Sequence, residues 1–182
     1  TADTGAAVPV QTWVTGWWPD GSVKWTAHAA SGADPRAAAY TLAAGAPAAP
    51  AAAVTVTRNR RQIEVNTGAV TVTFNRFGDR LVDMIRRGDT VIAKDGRLVA
   101  STQDRPGTDL PAQVRTETFD GTVGSVTVEQ GGPVRAVVKV EGKHQRGRRK
   151  WLPFVVRFYL YAGSDAILVV HTFVFDGDEN RD

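Results

Sequence analysis

WLPFVVRFYLYAGSDAILVVHTFVF, residues 151–175, decides the fold class. Successive residues of a strand point to opposite faces. In 151–161, Phe154, Val156, Phe158 and Leu160 therefore share one face, and Val155, Arg157, Tyr159 and Tyr161 share the other. Ala162-Gly163-Ser164-Asp165 has turn chemistry. In 166–175, Ile167, Val169, His171, Phe173 and Phe175 fall on one side. Two long alternating runs around a short turn make an antiparallel hairpin with one core face.

The same period continues upstream. Strands are predicted over 113–119, 125–129 and 134–141, with turns at Asp120-Gly121, 131–133 and 142–150. Further back, 54–58, 62–66, 69–74, 81–85, 90–93 and 97–100 read as strands. Turns separate them at 66–68, 75–78, 86–89 and Asp95-Gly96. Residues 101–110 (STQDRPGTDL) are polar and aperiodic and read as an exposed loop. No sustained period of 3.6 appears. Near the start, 8–15 and 22–30 pair around the strong turn Pro19-Asp20-Gly21-Ser22, and 40–42 is one more short strand. Residues 43–53, AAGAPAAPAAA, contain Pro47 and Pro50, which break the helix that alanine would favour. The class is all-β, a partial small β unit followed by a large antiparallel β-sandwich. The domains are 1–45, an Ala/Pro linker at 46–53, and 54–182.

Composition narrows the chemistry. The 182 residues include no cysteine, which removes disulfides, zinc-thiolate sites and cysteine nucleophiles. Apolar runs fall far short of the roughly 20 residues of a membrane helix, so no membrane partner is expected. Net charge is +3, and 17 of the 22 basic residues are arginine. Arginine suits carboxylates and phosphates, because its planar fork binds two oxygens at once. The run His144–Lys150 (HQRGRRK) reads as a solvated tip. It has no stacking aromatics at useful spacing, so no nucleic-acid partner is expected. The chain opens without methionine or a signal segment, which reads as a mature product or an excised piece.

Candidate contact residues come from aromatics and cations. Trp13, Trp17, Trp18 and Trp25 crowd into one stretch, TWVTGWWPDGSVKW. Exposed indoles stack on sugar rings, whereas buried ones anchor a core. Trp25 reads as buried. Trp17 and Trp18 precede a turn and cannot both point inward, so they are either a sugar platform or a packed junction. Arg157, Tyr159 and Tyr161 line one strand face, either as a groove wall or with the arginine paired to a neighbouring carboxylate. His171 reads as a hydrogen-bonded core residue and is also the candidate base; His28 is read likewise as structural. Asp176-Gly177-Asp178 begins like a calcium loop but lacks its closing glutamate, so it reads as a polar turn. No metal, cofactor or catalytic residue is assigned.

Two stretches resemble a known family. WWPDGSVKW, residues 17–25, is similar to a motif near the start of the exo-rhamnogalacturonan lyases. Residues 157–165 (RFYLYAGSD), followed by 171–178 (HTFVFDGD), resemble the later part of the sandwich domain in the same family. The resemblance implies a RIFT-type β-barrel, whose C-terminal part is 1–45, then the sandwich, then a helical toroid. It implies an enzyme that cleaves pectic rhamnogalacturonan by β-elimination, secreted or at the cell surface. It also implies barrel strands before Thr1 and a helical catalytic domain after Asp182. The 182 residues are then non-catalytic β-domains with a uronate-containing polysaccharide as partner. The alternative is a free-standing carbohydrate-binding or adhesion module.

Overall fold

The computed structural model describes residues 1–32, 36–105 and 114–177. Twelve strands follow in order: β1 (Val10–Trp17), β2 (Val23–Ala30), β3 (Thr55–Arg58), β4 (Gln62–Asn66), β5 (Thr71–Asn75), β6 (Arg80–Arg87), β7 (Thr90–Arg97), β8 (Val99–Gln103), β9 (Thr116–Gly131), β10 (Arg135–Arg146), β11 (Arg149–Tyr161) and β12 (Ile167–Phe173). No helix occurs among the described residues, and so no helix is long and apolar enough to cross a membrane. The fold class is all-β, as the alternation predicts.

The strands form three sheets. β1 and β2 make a two-stranded ribbon; the five-stranded sheets run β3-β4-β5-β6-β7 and β12-β11-β10-β9-β8. Every strand in the larger sheets pairs antiparallel with its neighbour in sequence, which short connections favour. Residues 41–54 carry neither strand nor helix, and Leu42 is exposed. The predicted short strand at 40–42 reduces to one bridge, Ala2 to Tyr40.

The two five-stranded sheets enclose the core. One contributes Ile63, Val65, Val72, Phe74 and Leu81; the other contributes Val138, Val140, Phe154, Val156, Phe158 and Leu160. The rings of Phe74 and Phe158 meet across the layers at 4.9 Å between centroids. Burying one such side chain contributes about 2–3 kcal/mol. The inward face of β11 is the one that alternation assigns to the core.

Two turn-like sequences behave differently from expectation, and both lie near the passage from one sheet to the other. Only Leu98 separates β7 from β8, so the chain passes from one sheet to the other in a single residue. Asp95-Gly96 does not end β7. Asp95 takes a left-handed conformation (φ 57°), which aspartate tolerates better than most residues, and the strand bends there and continues. Asp120-Gly121 lies inside the 16-residue β9. The Gly121 N–H donates to the Leu98 carbonyl at 2.7 Å. A Cβ there would lie 2.9 Å from the same oxygen, so glycine serves close approach rather than a turn. Residues 101–103 belong to β8, not to a loop; the rest of the predicted loop beyond 105, and the start of the predicted strand at Gln113, lie outside the described residues.

The front ribbon is fastened to the sandwich. The Gln11 side-chain oxygen accepts the N–H groups of Val134 (3.0 Å) and Arg135 (2.9 Å). The Ser31 hydroxyl donates to the Ala162 carbonyl at 2.7 Å. The Val54 N–H donates to the Pro133 carbonyl at 2.7 Å. Gly132 sits at φ 93°, where a Cβ would lie 2.4 Å from the Val54 oxygen, so this connection requires glycine.

Candidate functional site

The tryptophan ribbon is built by its turn. The Gly21 N–H donates to the Trp18 carbonyl (2.9 Å), and the Trp18 N–H donates to the Ser22 carbonyl (2.8 Å). Pro19 is the second residue of this turn, the position where its fixed φ fits. The Asp20 carboxylate accepts the Ser22 hydroxyl at 2.6 Å and the Ser22 N–H at 2.9 Å. Those two bonds, the hydroxyl first, hold Asp20 below the ordinary carboxylate range.

The indoles divide into two groups. Trp13 faces the sandwich, with the Arg135 guanidinium 4.2 Å from its ring. Trp17, Trp18 and Trp25 are 61%, 50% and 63% exposed. Trp25, expected to be buried, is instead exposed on the ribbon, where it pairs with Gly16. Its ring lies so near Gly16 that a Cβ there would meet Trp25 Cδ1 at 3.1 Å. The aromatic side chain covers a glycine rather than entering the core. Lys24 Nζ stands 4.2 Å from the Trp18 ring. This end presents flat apolar rings beside a cation, a surface that can stack on the C–H face of a sugar and attract an acidic one.

The outer face of the β8–β12 sheet carries Arg157, Tyr159 and Tyr161. Arg157 makes a two-pronged contact with Glu129, Nε to Oε2 at 2.9 Å and Nη2 to Oε1 at 3.1 Å. That pairing raises the Arg157 pKa. Lys139 Nζ lies between Glu141 (3.0 Å) and Glu129 (4.0 Å). The Lys139 contact first, and the Ser125 hydroxyl next, lower the Glu141 pKa. Tyr159 and Tyr161 stand 5.5 and 5.9 Å from the Arg135 guanidinium, on the side of the junction with Trp13. The Arg135 Nε donates to Gln130 at 2.8 Å. Arg157 thus belongs to an ion-pair array, and the two phenols belong to the Trp13–Arg135 junction.

The histidines exchange places relative to the sequence reading. His171, expected in the core, is exposed on the edge strand β12. It pairs with Val156, an inward residue, so it lies on the opposite face of the sheet from Arg157. Apolar neighbours, and then the charge of His144, lower its pKa. His144, read as part of a solvated turn, is buried. Its Nδ1 is 2.9 Å from the Leu152 carbonyl and its ring packs edge-on against Phe154. A strand irregularity between Lys143 and His144, opposite the left-handed Leu152 (φ 49°), turns the imidazole inward. Nothing in HQRGRRK signals this, because β10 and β11 run through the basic stretch and only Gly147 and Arg148 lie between them. His28 lies on the ribbon, with Nδ1 2.9 Å from the Thr12 hydroxyl.

Asp176 is engaged by protein groups. Its Oδ1 accepts the Leu152 N–H at 2.6 Å, and its Oδ2 is 3.3 Å from Lys143 Nζ. Desolvation opposes its ionisation, but these bonds outweigh it and the pKa is lowered. Asp178 lies outside the described residues. Among the described residues, no three His, Asp or Glu side chains group as metal ligands would.

A β ribbon fastened to a two-layer antiparallel sandwich defines a class, and sequence comparison gives it a family. Residues 1–45 match the PcRGLX-like N-terminal RIFT barrel domain, and residues 54–182 match the PcRGLX-like protein central beta sandwich domain. The chain belongs to the PcRGLX-like family. It is 34% identical over 169 residues to a Bacillus subtilis (strain 168) protein described as "Uncharacterized protein YetA", covering 92% of this chain and 20% of that protein. The chain thus spans about a fifth of the length of that curated relative.

Proposed function

We propose that residues 1–182 are the non-catalytic β-domains of a polysaccharide lyase that degrades rhamnogalacturonan by β-elimination. The observation that carries this reading is the family match, barrel domain then sandwich domain, over 1–45 and 54–182. β-Elimination removes the proton at C5 of a uronate while a cation holds the neighbouring carboxylate and stabilises the enolate. The candidate groups are not assembled for that task. Arg157 is engaged by Glu129, Tyr159 and Tyr161 flank Arg135, and His171 is on the other face of the sheet. In this reading the base and carboxylate clamp come from a helical domain C-terminal to the chain, and the whole protein acts outside the cell or at its surface.

The test is ultraviolet absorbance of unsaturated uronate products on rhamnogalacturonan. Residues 1–182 are expected to release none, while the full polypeptide does. Turnover by residues 1–182 alone would remove the non-catalytic assignment. Inactivity of the full polypeptide would remove the lyase.

A second reading rests on the exposure of Trp17 and Trp18. In it, the ribbon is a carbohydrate-binding surface in its own right. Titration with pectic oligosaccharides is expected to quench tryptophan fluorescence in the wild type and not in a Trp17→Ala, Trp18→Ala double variant. A flat wild-type titration sinks it.

A further inference from the structure

β12 has the composition of a strand from the middle of a sheet and the position of one at its rim. Its sequence, ILVVHTF, contains no lysine, proline or acidic residue. Those are the devices that protect a free edge. A near-continuous apolar run belongs to strands covered on both faces. Yet Leu168 and Val170 are exposed on the outer face, and Val169 (50%) and Phe173 (56%) are exposed on the inner face. The opposing sheet does not cover them. The other three edges of the two five-stranded sheets are guarded. β3 has only four residues and ends in Arg58. β7 carries Lys94, Asp95 and Arg97 and bends at Asp95. β8 is a five-residue strand ending Ser-Thr-Gln.

Backbone pairing shows which groups stand open. The Val174 N–H donates to the Pro153 carbonyl at 3.0 Å. Pairing in an antiparallel ladder alternates. Leu168, Val170 and Thr172 therefore turn their N–H and C=O groups toward β11, and Ile167, Val169, His171 and Phe173 turn theirs to the open edge.

We propose that β12 is a pairing edge completed by a further strand of the same polypeptide, drawn from outside residues 1–182. That strand hydrogen-bonds to Val169, His171 and Phe173 and lays apolar side chains beside Val169 and Phe173. Its own chain is the occupant because the curated relative has only 20% of its length in this region, leaving ample polypeptide to supply a strand. An open edge of this composition would otherwise template aggregation. The inference does not depend on which polymer the protein meets.

Hydrogen exchange at β12 tests this, on residues 1–182 and on the longest polypeptide the gene encodes. In residues 1–182 the amides of Val169, His171 and Phe173 are expected to exchange at least about 100-fold faster than those of Leu168, Val170 and Thr172. In the longer polypeptide both sets are expected to be slow. Continued fast exchange there overturns the proposal, as does a reading frame that stops at Asp182. Protection in residues 1–182 that grows with concentration, together with dimers in sedimentation, also overturns it, because the occupant is then a second copy. A Val169→Lys variant gives an independent reading. It is expected to leave the melting temperature of residues 1–182 nearly unchanged and to lower that of the longer polypeptide; equal effects on both would refute the assignment.

Discussion

Replacing Gly142 by alanine puts a methyl group where β9 and β11 both press on β10. The new Cβ would lie 2.1 Å from the Thr122 carbonyl oxygen, 2.6 Å from Phe154 Cζ and 3.0 Å from Phe154 Cε1. The oxygen is sheet backbone and cannot swing aside. Phe154 is a core ring at 2% exposure and has no free space to rotate into. Relief requires a shift of about an ångström in one strand, so the cost lies at the upper end for overpacking, about 3 kcal/mol. Alanine also reduces the freedom of the unfolded chain, which offsets about 0.5–1 kcal/mol. The expected net loss is about 2 kcal/mol, or about 4–8 °C in Tm for a chain of this size. Gly124, on the adjacent β9, is the control, because its Cβ would meet the Glu141 oxygen at 3.4 Å and the Gly142 Cα at 3.8 Å, both ordinary contacts. Urea unfolding followed by near-ultraviolet circular dichroism compares the two variants. Equal stability of Gly142→Ala and Gly124→Ala, within about 0.5 kcal/mol, would refute the crowding argument.

Other outcomes follow from the same contacts. Phe74→Ala removes a fully buried ring that bridges the sheets and is expected to cost about 3–5 kcal/mol in urea unfolding. Gln11→Ala leaves the Val134 and Arg135 N–H groups without their acceptor and is expected to cost about 1–3 kcal/mol; an unchanged midpoint would show that water replaces it. Breaking the half-exposed Arg157–Glu129 pair with Arg157→Ala is expected to cost no more than about 1 kcal/mol, and less in high salt. The pH profile has a definite sign. His171 has a folded pKa below its ordinary value near 6.5, so its contribution is complete above that pH and is lost as pH falls toward the folded value. Glu141 and Asp176, also lowered, add a loss at more acidic pH. Thermal melts are expected to show Tm falling below pH 6.5 in the wild type, with the first part of that fall absent in His171→Gln.

The core was legible because burial and strand geometry share one period. Phe154, Val156, Phe158 and Leu160 could be placed inward from spacing alone, and the structure places them there. Glycine pairs were the weak point. Asp95-Gly96 and Asp120-Gly121 carry turn chemistry, but here the special backbone serves a bend and a close approach inside strands. Local sequence cannot separate these uses, because the deciding neighbour, Leu98 for Gly121, lies 23 residues away. The histidines failed for a related reason. Alternation places His171 on the inward face, which is correct, but whether that face is covered depends on how far the other sheet extends. His144 is turned inward by an irregularity that no residue type announces. Trp25 misled because an indole can cover a glycine on a solvated ribbon as readily as it can fill a core. Register alone does not separate Trp13 from Trp25, because Trp13 pairs with Ala27 and Ala27 shares a face with Trp25; what differs is position along the ribbon, Trp13 lying where that face meets Arg135 and Trp25 nearer the turn.

The single-residue passage at Leu98 bears on how the protein assembles. Each large sheet is a meander whose strands pair only with chain neighbours, so each can zip up from local hairpins with little loop-closure entropy. The two then resemble the covers of a book whose spine is Leu98, pinned by the Gly121–Leu98 bond and the Gly78–Val123 bridge. Closing those covers brings distant parts of the chain together, as docking of the ribbon does, but here the spine fixes their relative position beforehand. Two glycines inserted after Leu98 are expected to slow refolding in stopped-flow fluorescence more than unfolding, and an unchanged refolding rate would count against the idea. The far side carries its own clasp: the Gly163 N–H, in the turn before β12, donates to the Thr67 carbonyl at 2.7 Å, and the Thr67 hydroxyl donates to the Ser164 carbonyl at 2.8 Å. The sandwich is therefore a book with a spine on one side and a clasp on the other, and its covers stay in register once closed.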